Sequence, residues 1–352
     1  MTSSSIKQRA AALGFELCGI APVDDHPQLG RFREWLDRGY AGEMQYLERS
    51  AERRADVRAV LPSARSVICL GTVYNTDRPL SIRREAGQAR IARYAWGDDY
   101  HEVIGRRMEA LLSWMRESLA EPFDARAYVD TGPVQEKVYA QYAGLGWIGK
   151  NTCLINGRLG SWIFLSEIIC SLPLDADAPA LEQCGTCQRC LDACPTAAIV
   201  EPFVVDATRC LSYLTIEMKG PIPEELRESV GAQAYGCDIC QDVCPWNRKA
   251  AVSSDPAWLP RAVFDGRSLA ELWSTPDGEL RRGLKGSAMT RAGVKRFRRN
   301  LATCAGATGD PDAVAALTTV NEASCEEPLV TEHIDWARAR ADVAADCEGR
   351  DG

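Results

Sequence analysis

Two runs of cysteine carry the most chemistry in this sequence. The first reads Cys184-Gly-Thr-Cys187-Gln-Arg-Cys190-Leu-Asp-Ala-Cys194-Pro195, the second Cys237-Asp-Ile-Cys240-Gln-Asp-Val-Cys244-Pro245. The first is C-x2-C-x2-C-x3-C-P, the bacterial run that holds iron–sulfur cubes in pairs. Three thiolates on one tight loop reach three corners of a cube. The fourth, one helical turn later, points to the neighbouring cube. Such centres move single electrons. Zinc is the alternative, because four-cysteine zinc sites also use paired C-x2-C spacings. Three equally spaced thiolates suit a cube better than a tetrahedral ion, and proline follows the last cysteine of each run. The count also closes. The runs hold seven cysteines, two four-ligand clusters need eight, and Cys210 lies between the runs. Crossing over gives cluster one Cys184, Cys187, Cys190 and Cys244, and cluster two Cys194, Cys210, Cys237 and Cys240. The remaining Cys18, Cys69, Cys153, Cys170, Cys304, Cys325 and Cys347 lack ligand spacing and read as small buried apolar residues.

A second pattern is misleading. Gly144-Leu-Gly146-Trp-Ile-Gly149-Lys150 fits both G-x-G-x-x-G and G-x4-G-K. Those loops cradle phosphate only between a strand and a following helix. Here the order is reversed: a helical stretch over 134–142 precedes it and a strand over 152–155 follows. Asn151 also stands where a magnesium-ligating Ser or Thr belongs. A glycine-rich turn that lets a large ligand approach the backbone is the better reading.

These residues need a frame. At 352 residues the chain has room for two or three domains, and its charge of −8 excludes indiscriminate nucleic-acid binding. Residues 1–175 read as α/β. Buried-strand runs fall at 66–74 and 125–130, the latter stopped by Thr131-Gly-Pro133, with an amphipathic helix over 101–119 between them. Strands over 152–155 and 161–169 read as a hairpin around Asn156-Gly157. Residues 176–250 form the cysteine module, opened by a Pro- and Ala-rich linker at 174–180. Residues 251–352 read as a short helical, HEAT-like tail, with helix starts at Asp310-Pro311 and Glu327-Pro328. Residues 281–299 hold eight Lys/Arg and no Asp/Glu. Fifteen clustered cysteines, no signal-peptide pattern at the start and no apolar run of membrane length lead us to expect a cytosolic protein. No coiled-coil pattern stands out, and a monomer is expected.

Beyond the cysteines, several segments resemble epoxyqueuosine reductase. They are Arg93-Tyr-Ala-Trp-Gly-Asp-Asp-Tyr-His101, Val129-Asp-Thr-Gly-Pro-Val, Gly146-Trp-Ile-Gly-Lys-Asn-Thr, Cys210-Leu-Ser-Tyr-Leu-Thr-Ile-Glu217 and Gly236-Cys-Asp-Ile-Cys-Gln-Asp-Val-Cys-Pro-Trp-Asn247. The likeness covers the chain to about residue 250. It implies a nitroreductase-like cobalamin domain joined to the two-cluster ferredoxin module. It also implies a tRNA substrate with epoxyqueuosine at the wobble position, reduced to queuosine with loss of water. Asp130, otherwise a turn-forming aspartate, becomes the proton donor, its pKa expected to be raised by an apolar site. Arg53, Arg54, Arg93, Tyr94, Tyr100, His101, Lys150, Asn151, Thr152, Ser212, Tyr213 and Thr215 are expected around the cobalamin. None of the three histidines lies in an Asp-x-His-x-x-Gly motif, so a base-off cofactor without a protein imidazole is expected. Arg281, Arg282, Lys285, Arg291, Lys295, Arg296, Arg298 and Arg299 would grip tRNA phosphates. A flavodoxin or ferredoxin would supply electrons. The rival readings are a cobalamin-dependent reductive dehalogenase and a non-catalytic electron-transfer subunit.

Overall fold

The computed structural model describes residues 1–83, 85–319 and 322–348. Its frame is a four-stranded antiparallel sheet of β1 (Leu17–Pro22), β2 (Ser66–Val73), β3 (Ala125–Tyr128) and β4 (Ile163–Cys170), in the order β1-β2-β4-β3. Every residue of β2 is buried, as its unbroken apolar run requires of a strand covered on both faces. Along β4 the side chains alternate between two cores. Phe164 and Ile168 join Ile68 and Leu70 against α1 (Ser3–Ala12) and α2 (Tyr100–Glu117). Leu165 and Ile169 join Val67 and Cys69 against α3 (Glu136–Tyr142). The spacing of Ile104, Met108, Leu111 and Met115 puts one face of α2 into the first core, as expected from its period.

The expected hairpin around Asn156 does not form between the anticipated strands. Leu154–Ile155 pairs instead with Trp147–Ile148, and β4 pairs with β2 and β3. The glycines between serve that small hairpin. A Cβ on Gly146 would stand 2.3 Å from the Ile155 carbonyl oxygen, and one on Gly149 would stand 2.5 Å from Ile155 Cδ1. The chain's own turn, rather than an approaching ligand, demands glycine there.

The linker is strapped to the sheet. Asp177 Oδ2 accepts from the Ile20 amide at 2.8 Å, and the Asp177 amide donates to the Ile20 carbonyl at 2.9 Å. Lys7 pairs with the same carboxylate at 2.5 Å.

The tail contains α4 (Asp277–Leu284), α5 (Gly293–Thr308), α6 (Pro311–Thr319) and α7 (Pro328–Glu348). Asp310 caps α6 as read, accepting from Ala313 N at 2.8 Å. This core is shared: Ile91, Ala95 and Trp96 pack with Leu214, Tyr235, Trp273, Phe297 and Leu301. The side chain of Cys347 lies outside the described residues, and Cys69, Cys170, Cys304 and Cys325 are buried as expected.

Candidate active site

The eight cysteines come near one another in two groups, which Cys153 also adjoins. Cys190 lies within electrostatic range of Cys244 and Cys184, and Cys244 within range of Cys184 and Cys187. Cys237 senses Cys210 and Cys194, and Cys240 senses Cys237 and Cys210. Among the described residues, no three Cys, His, Asp or Glu side chains converge as ligands of a single ion do. Thiolate donors in fours suit iron–sulfur cubes. The structure adds Cys153, which shares a hydrogen bond with Cys240. Spacing alone does not single it out, because its ligand-like neighbour is 87 positions away (240 − 153).

Asp130 follows β3 with φ at +59°, a left-handed backbone that aspartate tolerates better than most residues. Tyr100 donates its hydroxyl hydrogen to Asp130 Oδ2 at 2.7 Å. His101 Nε2 lies 3.5 Å from the same oxygen, while its Nδ1 faces Asp99 at 2.7 Å. The Asp130 side chain remains 56% exposed. The expectation of a raised pKa is overturned. Burial pushes the carboxyl up, but hydrogen bonds from His101 and Tyr100 outweigh it and hold Asp130 below the ordinary carboxylate range. His101 moves the other way: burial opposes its charge, and the contacts with Asp130 and Asp99 prevail and raise it.

Four carboxyls do rise: burial lifts Asp238, to about 7, and Asp242 inside the second cysteine run, and the other two are ones that no sequence motif marks. Glu136 opens α3, and burial followed by the nearby Asp130 lifts it to about 8. Glu167 is buried in β4 and lies well above the ordinary range, from burial first and then Glu136. A carboxylate inside the run Ile163-Phe-Leu-Ser-Glu-Ile-Ile-Cys170 was the available signal.

An aromatic wall connects acid and cluster. The Tyr100 and Tyr94 rings meet edge to face at 6.2 Å. Tyr94 Cε1 lies 3.6 Å from the point where Gly236, neighbour of Cys237, would carry a Cβ. Of the other expected cofactor contacts, Tyr94, His101, Thr152, Ser212, Arg54 and Lys150 are partly buried, Tyr100 is buried and Arg53 is exposed.

Four expected contacts are corrected. Arg93 is buried, and its guanidinium donates to Thr76, Arg78 and Pro79. Thr215 is fully buried, donating to the Leu211 carbonyl and accepting from Gly236 N. Tyr213 is buried, with its hydroxyl oxygen accepting from Glu43 N at 2.8 Å. Asn151 is buried against the cluster-two loop. Each side chain is committed to the fold. Lys150 also serves the fold, donating to the Gly185 and Cys187 carbonyls at 2.6 and 2.9 Å and so pinning the loop of cluster one.

The basic stretch divides as well. Arg298 and Arg299 are fully buried and donate to carbonyls of Trp273 and Thr275, and of Leu214, Met218 and Gly220. Arg296 donates to the Ile216 and Ala292 carbonyls. These three hold the tail together and are corrected from phosphate contacts to structural ones. Arg281, Arg282, Lys285, Arg291 and Lys295 are exposed. Arg291 is held by Glu217 at 2.5 and 2.7 Å, and Lys295 by Glu327 at 2.6 Å.

A mixed α/β layer carrying a double iron–sulfur module, with a half-exposed carboxylate after β3, defines an iron–sulfur oxidoreductase. Residues 183–247 match the 4Fe-4S double cluster binding domain, and residues 54–131 match the family described as epoxyqueuosine reductase QueG, DUF1730. The chain belongs to the epoxyqueuosine reductase family. It is 47% identical over 317 residues to the epoxyqueuosine reductase of Gloeobacter violaceus, covering 88% of this chain and 97% of that protein. Against that of Escherichia coli it is 37% identical over 340 residues, covering 96% and 89%. The fold is similar to a crystal structure of epoxyqueuosine reductase with an epoxyqueuosine-modified tRNA-Tyr stem loop, with a TM-score of 0.86 at 28% identity over 96% of this chain and 89% of that one. It is also similar to the Streptococcus thermophilus enzyme, with a TM-score of 0.82 at 27% identity over 96% and 90%. Among the described residues no helix is long and apolar enough to cross a membrane.

Proposed function

We propose that this chain reduces epoxyqueuosine at the wobble position of tRNA to queuosine, releasing water. The observation that carries the reading is the half-exposed Asp130, joined through Tyr100 and Tyr94 to the border of the second cysteine quartet. A redox centre placed against that wall would have a proton source on one side and an electron source on the other. Cobalamin is the cofactor that the family resemblance implies. All three imidazoles have other work: His26 stacks on Tyr142 at 3.7 Å, His101 faces Asp99 and Asp130, and His333 accepts from Ile222 N. That supports a base-off cofactor with no protein imidazole. Tyr94, Tyr100, Thr152 and Ser212 are the residues that would line it, since hydroxyls suit its amide fringe. When bound, it would supply the reducing chemistry at the epoxide.

The protein's own part is position and protons. Asp130 would carry a proton to the departing oxygen, because an alkoxide leaves badly. Arg281, Arg282 and Lys285 would hold the phosphates, which positions the anticodon, and the extruded base would be read in the cleft. The eight cysteines would bind two 4Fe-4S clusters, recharged by an external one-electron carrier such as a flavodoxin or ferredoxin. On this reading residues 1–175 form a nitroreductase-like cobalamin domain, 176–250 the ferredoxin-like module and 251–352 a HEAT-like tail, with the protein a cytoplasmic monomer.

The test is anaerobic reconstitution with iron, sulfide and cobalamin, followed by assay on epoxyqueuosine-containing tRNA and mass spectrometry of the nucleosides. Queuosine formation that Asp130→Asn lowers at least 100-fold supports the reading. Iron–sulfur absorption without corrin bands, and no queuosine, would leave a bare electron carrier.

A further inference from the structure

We propose that the half-buried Glu136 and the buried Glu167 form a proton store behind Asp130, which supplies the second proton of the deoxygenation. The inference rests on the function proposed above. Opening an epoxide to an alkene breaks two C–O bonds, forms one C=C bond and releases the oxygen as water. It therefore takes two electrons, from an external one-electron carrier acting twice, and two protons. Asp130 has one carboxyl, and its contacts with Tyr100 and His101 favour the ionised form. A second acid must reload it inside a cleft closed by substrate.

Glu167 is placed for this. It lies in the middle of β4, opposite Cys69 of β2 and Tyr128 of β3, two residues before Asp130. It is 2% exposed, and its Oε2 makes no hydrogen bond. A buried carboxyl kept only for structure would have both oxygens engaged. Its alternation with Leu165 and Ile169 turns it toward α3, which begins at Glu136.

The groups facing the pair are Asp130, His101, Lys137, Arg54 and Cys69. Arg54 favours the charged form of both glutamates from a distance, while its guanidinium donates to Ser50 Oγ and the Val134 carbonyl. Each of these carboxyls makes its neighbours harder to ionise, so the set titrates as a unit. Asp130 takes a first proton from solvent as substrate arrives and gives it to the oxygen, Glu136 reloads Asp130 with the second, and the charge left on Glu136 is shared with Glu167.

The experiment uses the reconstituted full chain. Infrared absorption of protonated carboxyl groups is followed against pH in wild type, Glu136→Gln and Glu167→Gln, without substrate. Wild type should retain a carboxyl band above pH 7 that Glu136→Gln diminishes. Single-turnover rates on modified tRNA should fall at least tenfold in Glu136→Gln and lose the wild-type decline near pH 8, with iron content and corrin spectrum unchanged; Glu136→Asp should recover part of the rate. A wild type with no carboxyl band above pH 6, or a Glu136→Gln enzyme with the wild-type pH profile, would overturn the store. If wild type makes no queuosine at all while the band persists, the functional reading fails instead.

Discussion

Tyr100 and Asp130 are joined by a 2.7 Å hydrogen bond from phenol to carboxylate, across the gap between the start of α2 and the end of β3. The bond fixes an aspartate whose backbone is already left-handed, and it favours the charged form. Tyr100→Phe should raise the Asp130 pKa, measured by carboxyl NMR. Half-exposed, the carboxylate is screened, so the folding cost should stay at about 1 kcal/mol or less. An unmoved pKa would mean that His101 alone holds it down.

Cluster assignment can be counted. Cys210→Ala should lower iron from about eight to about four atoms per chain. Cys153→Ser should leave the content unchanged, because this residue neighbours a ligand and completes no quartet. Iron analysis after anaerobic reconstitution measures both.

The basic stretch should separate under mutation. Arg298→Met removes a guanidinium shared by Asp277 and two carbonyls, and should cost about 3–5 kcal/mol of stability. Lys285→Ala should leave the melting temperature nearly unchanged. It should also flatten the logarithmic salt dependence of tRNA binding by a slope of about one, the share of a single phosphate. Equal effects on RNA from folded forms of both variants would contradict the division.

His333 makes stability pH-dependent. Its Nε2 accepts from Ile222 N, and burial lowers its pKa from 6.5 to about 4. The unfolded chain takes up this proton first, so this contribution is intact above pH 6.5 and declines as pH falls toward 4. The loss reaches about 3 kcal/mol. His333→Gln should flatten that part of the denaturation profile.

Gly19 marks where β1 touches the chain after α3. A Cβ there would stand 2.0 Å from the Ala143 carbonyl oxygen. Gly19→Ala should destabilise by more than about 3 kcal/mol, read by denaturant unfolding.

What the sequence discloses follows the range of the interaction. The double iron–sulfur module was legible because the spacing of its cysteines is local. The face of α2 was legible from its period. The fates of Arg93, Arg298 and Arg299 were not, because an arginine whose partners are distant backbone carbonyls looks like any surface cation. Glu136 and Glu167 were missed for a related reason. They lie 31 positions apart (167 − 136), and only the pairing of β4 with β3 and the packing of α3 bring them near Asp130.

The strap at Asp177 has a consequence for traffic. Stitched to Ile20 by a reciprocal pair of amide contacts and to Lys7 by charge, Asp177 moors the segment leading into the first cysteine run to the sheet. On the proposed function, electrons would enter through a module moored at this point, and a one-electron courier would have to visit it twice for each nucleoside reduced.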